Sequence, residues 1–282
     1  MDNKSEKILI TGITGLVGAR LLPRLAAEGW NCHALVRGGK PVPEGINAVE
    51  GDILDAETLT EAVKDASAII HLAAVFRTAD TDLIWKSNLE GTQNLIDAAK
   101  KYAPNARFIL ASTAHVYNAD NPHPGREDDE LNPQLAYPAS KLAAENALRA
   151  SGLNWSVLRF PFVYGDGDKH VEMLPEHVLG KWHPAARMSI IHHRDIANAI
   201  KMAFAGKMDG RIVNISDEAP TSVYELLRLV GVTMESSSEP LTNPWHLQVD
   251  SSLARNLGFQ PEVRTVYQAV AEGLLWKLAV GF

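Results

Sequence analysis

The sequence predicts an α/β fold organised as a doubly wound parallel sheet, and three observations carry that prediction. An apolar strand near the N-terminus, Ile8-Leu9-Ile10, runs directly into Thr11, Gly12, Gly15 and Gly18 and then into a helical pattern. Strand patterns alternate with helix patterns through residues 1–165. Gly15, Asp52, Ala73 and the pair Ser112-Thr113 all fall at the carboxyl ends of expected strands, where such sheets gather their ligands.

The first strand ends in G-x-x-G-x-x-G, a turn whose backbone can approach a pyrophosphate held by free N–H groups and the positive end of a helix dipole. Gly12 permits the turn, Gly15 the close approach, and Gly18 the packing of helix on strand. Leu16 and Val17, within the same turn, are expected to contact the cofactor. Lys4 and Lys7 ahead of the apolar segment resemble the basic flank of a secretory signal. Thr11, Gly12, Thr14 and Gly15 interrupt that segment and Arg20 follows it, so no signal is expected.

After a helix over residues 16–28, residues 30–36 read as a second strand that ends in Arg37, Gly38, Gly39 and Lys40. An acid at this place commonly holds the adenosine ribose hydroxyls, and an Arg a 2′-phosphate. Here the acid is absent and the base present. A charge-assisted bond to phosphate contributes about 1.5–3 kcal/mol, roughly a tenfold to hundredfold preference, so NADP is favoured over NAD. The alternative is that Arg37 and Lys40 are solvated loop cations.

Residues 48–51 form a third expected strand, followed by Asp52 and Ile53. Asp52 either hydrogen-bonds an adenine amino group or caps a turn. A helix over 56–63 leads to a fourth strand, 68–74, whose end at Leu72, Ala73 and Ala74 lets backbone pass close to a ligand. His71 within this run reads as a core histidine with its partners satisfied. Residues 88–101 have helical spacing, and 107–112 read as the next strand. Cys32, the sole cysteine, reads as a small buried hydrophobe.

Tyr137 and Lys141 are four residues apart at the start of a helix and share one face. A free Tyr titrates near ~10, so acid/base work at neutral pH needs a shift of about three units, roughly 4 kcal/mol. A nearby ammonium and the charge of an oxidised nicotinamide favour phenolate. Thr113, at a strand end 24 residues earlier, completes a set with this pair.

On these motifs the chain resembles the extended short-chain dehydrogenases/reductases, the NAD(P)-dependent epimerase/dehydratase group. The resemblance rests on TGITGLVG (11–18), GDILD (51–55), IIHLAA (69–74), SNLEGTQNLIDAA (87–99), LASTAHVY (110–117), YPASK (137–141), LRFPFVYG (158–165) and HHRDIANAI (192–200). It implies a Rossmann-like sheet with a small, mostly helical C-terminal substrate lobe. It also implies that Thr113 hydrogen-bonds the substrate oxygen, Tyr137 is the acid/base and Lys141 its support, holding the nicotinamide ribose. Asn88 would help position the site. Arg159, Pro161 and Val163 would lie where the chain passes the nicotinamide end.

The chain departs from relatives that dehydrate nucleotide sugars. Thr113 is followed by Ala114 and His115 where those enzymes carry Asp and Glu, so elimination by that route is not expected. His115 reads as structural or as part of a substrate pocket. Residues 166–191 are short and of mixed sign, a modest substrate segment and not a diphosphate cradle. Their histidines, His170, His177 and His183, lack compact metal-ligand spacing, so no metal is assigned.

The expected division is a dinucleotide-binding domain of residues 1–165 plus 192–215 and a substrate lobe of 166–191 plus 216–282. The lobe should contain helices over 223–229, 253–257 and 266–282, with Asp250-Ser251 as a helix N-cap and Gly258 as a stop. Trp245, Trp276 and Phe282 are expected in its core.

With 282 residues and 46% hydrophobic content, the chain is long enough for these two parts. No apolar run reaches the roughly 18 residues of a membrane span. A net charge of −7 argues against nucleic-acid or anionic-membrane partners. A cytoplasmic enzyme with a small-molecule substrate follows as the expectation, and relatives commonly form homodimers. The function expected is hydride transfer between a nicotinamide and a carbonyl or secondary alcohol of a small or sugar-like substrate. Two alternatives stay open: a nucleotide-sugar 4-epimerase with retained NAD, and a non-catalytic nucleotide-sensing protein.

Overall fold

The computed structural model describes residues 6–39, 42–43 and 46–275. Lys4, Lys40, Trp276 and Phe282, and the expected helix beyond residue 275, lie outside the described residues. From the N-terminus come β1 (Ile8–Thr11), α1 (Gly18–Ala27), β2 (Cys32–Val36), β3 (Asn47–Glu50), α2 (Leu59–Val63) and β4 (Ala68–His71). Next are α3 (Thr81–Trp85), α4 (Gly91–Tyr102), β5 (Arg107–Thr113), α5 (Ala136–Arg149), β6 (Asn154–Phe160) and β7 (Phe162–Tyr164). The remainder is α6 (His170–Val178), β8 (Arg187–Met188), β9 (Ile190–His192), α7 (His193–Phe204), β10 (Arg211–Asn214), β11 (Thr221–Ser222), α8 (Val223–Leu229), α9 (Ser252–Asn256) and α10 (Val266–Ala271).

Seven of these strands make one parallel sheet in the order β10-β6-β5-β4-β1-β2-β3. The order reverses beside β1, which opens a crevice there above the strands' carboxyl ends. Both faces of the sheet are covered, and the alternation of side chains shows how. Ile8, Ile10 and Ile70 point into one core with Leu21, Leu22 and Leu25 of α1 and Ile196, Ile200 and Phe204 of α7. Leu9, Ile69, Phe108 and Leu110 point into the other, with residues of α2, α4 and α5.

Burial on both sides is why these strands read as unbroken apolar runs. Cys32 sits in the first of these cores, where burial pushes its thiol up to about 11.

The second strand starts two residues later than expected, at Cys32, and the expected helix over 56–63 splits into a 3₁₀ turn at Ala56–Thr58 and α2. Asp55, capping that turn through Glu57 N, lets the chain enter the tighter geometry first. Ahead of α4, residues Lys86–Glu90 form a π-helical turn, and this wide turn carries the buried Asn88.

A third apolar core gathers Tyr164, Val171, Leu174, Met188, Val223, Leu226 and Val266 from α6, β8, α8, α10 and their neighbours. Here β8 pairs antiparallel with β11 and β7 parallel with β9. A reciprocal cap between Ser222 and Glu225 starts α8. The pair Asp250-Ser251 starts α9 as expected: Ser251 is its N-cap residue, the Asp250 carboxylate accepts from Ser252 N at 2.8 Å, and the Ser251 hydroxyl meets Ser216. Trp245 is 40% exposed and is not part of this core, because it stands on the 243–248 turn.

Gly12 holds φ at +73°, and a Cβ there would stand 2.5 Å from Ala73 N and 2.7 Å from Leu72 C. Gly39, at φ +76°, faces open space. Gly12→Ala is therefore expected to lower the unfolding free energy by about 2 kcal/mol or more, combining backbone strain with displacement of the β4 end. Gly39→Ala should cost no more than about 1 kcal/mol. Urea unfolding of both variants checks the contrast.

Candidate active site

The crevice beside β1 is a cavity of about 390 Å³. The turn after β1 contributes Gly12 and Gly15, the end of β2 Arg37, the segment after β3 Asp52 and Ile53, and the end of β4 Leu72, Ala73 and Ala74. Thr14, Leu54, Val75, Leu83 and Ser87 line it as well; these the sequence reading missed, although each is close in sequence to one of its motifs. Leu16 and Val17 flank the cavity at the start of α1, where the Leu16 carbonyl accepts from Arg20. That helix has neither a side-chain N-cap nor an acid in its first turn; Ala19 N and Arg20 N donate to the Gly15 and Val17 carbonyls, and the positive end of its dipole is left without a counter-charge from the helix itself. A dinucleotide pyrophosphate fits these features.

Asp52 accepts from Leu54 N at 3.0 Å through one carboxylate oxygen while lining the cavity, so the turn-capping role is present in the structure. Ile53 packs on Gly91, where a Cβ would stand 2.7 Å from its Cδ1, and its carbonyl accepts from Asn94. Arg37 is exposed and makes no ion pair among the described residues.

A directional chain of hydrogen bonds secures the crevice wall. Ala73 N donates to Thr11 Oγ1 at 3.2 Å, and Thr11 Oγ1 meets His71 Nδ1 at 2.7 Å. His71 Nε2 meets Thr92 Oγ1 at 2.9 Å, and that hydroxyl donates to the Asn88 carbonyl at 2.6 Å. Every donor has an acceptor only if His71 is neutral with its proton on Nε2. Burial, and secondarily the Lys141 charge, push its pKa down to about 3. The Asn88 side chain accepts from Val75 N at 2.7 Å and donates to the Val75 carbonyl and to Ser140 Oγ, so it ties the loop after β4 to α5.

Thr113 ends β5, and Tyr137 and Lys141 lie one turn apart on α5, with the Thr113 and Lys141 side chains buried. Burial pushes the Tyr137 phenol up to about 12, and its interaction with the Thr113 side chain acts in the opposite direction. The sequence expectation was a lowered phenol; desolvation outweighs Thr113, and Lys141 is not among the groups acting on it. Burial pushes Lys141 down to about 8, opposed by Glu145 one turn further along. Phe76 packs against Tyr137 with ring centroids 4.5 Å apart and the ring planes tilted by 40°. Pro161 is buried just before β7, and Val163 within β7 offers its carbonyl to His170.

The model for the NAD dependent epimerase/dehydratase family matches residues 8–216. The chain belongs to that family. It is an enzyme of the extended short-chain dehydrogenase/reductase type. Among its relatives is a ceramide reductase of Caulobacter vibrioides, 30% identical over 74% of this chain, which spans 64% of that protein. D-erythronate dehydrogenase of Cupriavidus necator is 26% identical over 90% of this chain and 94% of its own length. In fold, the chain is similar to a putative epimerase from Burkholderia cenocepacia, with a TM-score of 0.80, 23% identity, and coverage of 96% of this chain and 97% of that one. It is also similar to a short-chain dehydrogenase/reductase superfamily protein of Agrobacterium tumefaciens with bound NAD, with a TM-score of 0.78, 24% identity, and coverage of 95% and 96%.

In this family member a buried polar network lies behind Lys141. Arg159 donates to both oxygens of Glu145, at 3.1 and 2.7 Å, and Ser112 donates to the same carboxylate. Arg159 also donates to Tyr117 Oη at 2.9 Å, and that hydroxyl donates to Asn214 Oδ1 at 2.7 Å. The Arg159 side chain thus joins β6 to α5, a partner assignment the sequence reading lacked. A pair this deeply buried is held by geometry, since desolvation offsets much of its Coulomb energy.

His71 generates a pH prediction. Its folded pKa of about 3 lies below the unfolded value of about 6.5, so below pH 6.5 the unfolded chain binds a proton that the folded chain refuses. Its contribution to stability is complete above about pH 6.5 and is lost as pH falls toward 3, at up to about 1.4 kcal/mol per pH unit. Between pH 7 and pH 5 urea unfolding should show a loss of roughly 2 kcal/mol in the wild type that His71→Gln does not show.

Proposed function

We propose that this chain is an NAD(P)-dependent oxidoreductase acting on a carbonyl or secondary alcohol of a small or sugar-like compound. The observation that carries the reading is the grouping of Thr113, Tyr137 and Lys141, two of them fully buried, at the end of β5 and the start of α5. When bound, the dinucleotide supplies or accepts the hydride at its nicotinamide C4. Tyr137 holds the proton at its phenol oxygen and gives it to the substrate oxygen in reduction, or takes it in oxidation. Thr113 Oγ1 donates a second hydrogen bond to the same oxygen as charge develops there. Lys141, one turn along α5 from Tyr137, holds the nicotinamide ribose.

Gly12, Gly15, Leu16 and Val17 would hold the pyrophosphate, Asp52 and Ile53 the adenine, and Leu72, Ala73 and Ala74 the middle of the cofactor. Pro161 and Val163 would meet the nicotinamide end, with residues 166–191 and 216–275 of the expected lobe facing the substrate. Arg37 at the cavity rim, exposed and without an acidic partner among the described residues, supports NADP over NAD.

A panel of aldehydes, ketones and sugars followed by nicotinamide absorbance tests the reading. Tyr137→Phe should lower kcat by about 10² to 10⁴ while cofactor affinity is retained. Undiminished turnover in that variant overturns the proposal. Arg37→Asp should shift the ratio of NADP to NAD affinity by at least about tenfold toward NAD. An unchanged ratio removes the NADP assignment and leaves the hydride chemistry standing.

A further inference from the structure

Phe76 borders the reacting phenol, and hydride and proton transfer leave it unused. Its ring centroid lies 4.5 Å from that of Tyr137, yet Phe76 stays 51% exposed. A phenylalanine placed half in water beside a reacting group holds apolar surface that a ligand can cover.

The position of this ring is fixed from both sides. Val75, the residue before it, donates its N–H to Asn88 Oδ1 at 2.7 Å, and the Val75 carbonyl accepts from Asn88 Nδ2 at 3.0 Å. The same Nδ2 donates to Ser140 Oγ at 3.1 Å, and that hydroxyl donates to the Tyr137 carbonyl at 2.8 Å. One polar link thus ties the chain entering Phe76 to the turn of α5 that carries Tyr137. On the other side, Arg77 turns the backbone at φ +60° and sets its guanidinium 5.3 Å from the Phe76 ring centroid. A ring held in this way is preorganised, so contact with it costs a ligand little ordering. Val75 and Leu83 line the neighbouring cavity, and Leu83 is 41% exposed, so apolar surface leads from the cavity wall toward Phe76.

We propose that Phe76 is a specificity-determining residue: it packs against an apolar group, alkyl or aryl, that the substrate carries next to its reacting carbon. This rests on the assignment of Tyr137 as the acid/base. A compound whose oxygen is held by the Tyr137 hydroxyl lays the atoms beside its reacting carbon along whatever borders the Tyr137 ring, and Phe76 forms part of that border. A polyol in the same place sets hydroxyls against the ring, where they lose water and gain no partner.

Calorimetric titration of the protein with cyclohexanol, benzyl alcohol and myo-inositol, in the presence of NADP and separately of NAD, tests this. Cyclohexanol and inositol share one carbon ring and differ only in their hydroxyls. The wild type should bind at least one of the two apolar alcohols about tenfold or more tightly than inositol. Phe76→Ala should weaken that binding by about fivefold, the effect of removing the half-exposed side chain, and leave inositol unchanged. Phe76→Leu keeps an apolar side chain and should restore most of the affinity, so that a general disturbance of the Tyr137 wall cannot account for the loss. A wild type that binds neither alcohol more tightly than inositol, a preference that survives in Phe76→Ala, or a loss that Phe76→Leu does not recover overturns the proposal. Failure of the acid/base reading would show separately, as full turnover in Tyr137→Phe whatever the binding preference.

Discussion

The site depends on how closely the turn after β1 approaches the end of β4. Gly12 lies against the backbone of Leu72 and Ala73 with no room for a side chain, and Thr11 bonds both Ala73 N and His71. These contacts fix the two strand ends that bound the cavity. Because the His71 ring continues the chain to Thr92 and the Asn88 carbonyl, the same few hydrogen bonds set the crevice wall and the helical turn carrying Asn88. Asn88 in turn reaches Ser140, between Tyr137 and Lys141. The cavity and the turn of α5 that carries Tyr137 and Lys141 are thus parts of one hydrogen-bonded frame.

Much of the sheet was legible because its strands are buried on both faces and its glycines punctuate them. Ile8 to Ile10, Ala68 to His71 and Arg107 to Thr113 stand out as apolar runs too short for helices, and the helix at Val223–Leu229 has the bounds its sequence suggested. Local hydrogen bonding was harder to read. The 3₁₀ entry to α2 and the π turn at Asn88 depend on which single donor finds which acceptor, and periodicity carries no trace of that. Trp245 misled for a different reason: an aromatic residue suggests a core, yet a turn can leave it at the surface.

Gly12 and Gly15 line the cavity their motif suggested, and Tyr137 and Lys141 share one helix as their spacing requires. Glu145 with Arg159, and Phe76 with Tyr137, are pairs from different elements, and no local pattern announces them. The sequence also gave no measure of desolvation. A Tyr–Lys pair on a helix suggests an acidified phenol, whereas the folded surroundings raise Tyr137 and lower Lys141. The pair therefore meets its ligands as a neutral phenol beside an amine that gives up its proton more readily than a solvated lysine.

The ion pair between Glu145 and Arg159 bears on how firmly α5 is seated on the sheet. It pins the middle of α5 to β6 beneath the reacting residues, and Ser112 adds a third attachment from β5. The wall that carries Tyr137 and Lys141 is thereby immobilised, as a bench vice holds one jaw fixed. The segment that carries His170 and the antiparallel ribbon of β8 and β11 belong to a separate apolar core and take no part in this attachment. Variation there can therefore reshape that end of the molecule without disturbing how α5 sits on the sheet.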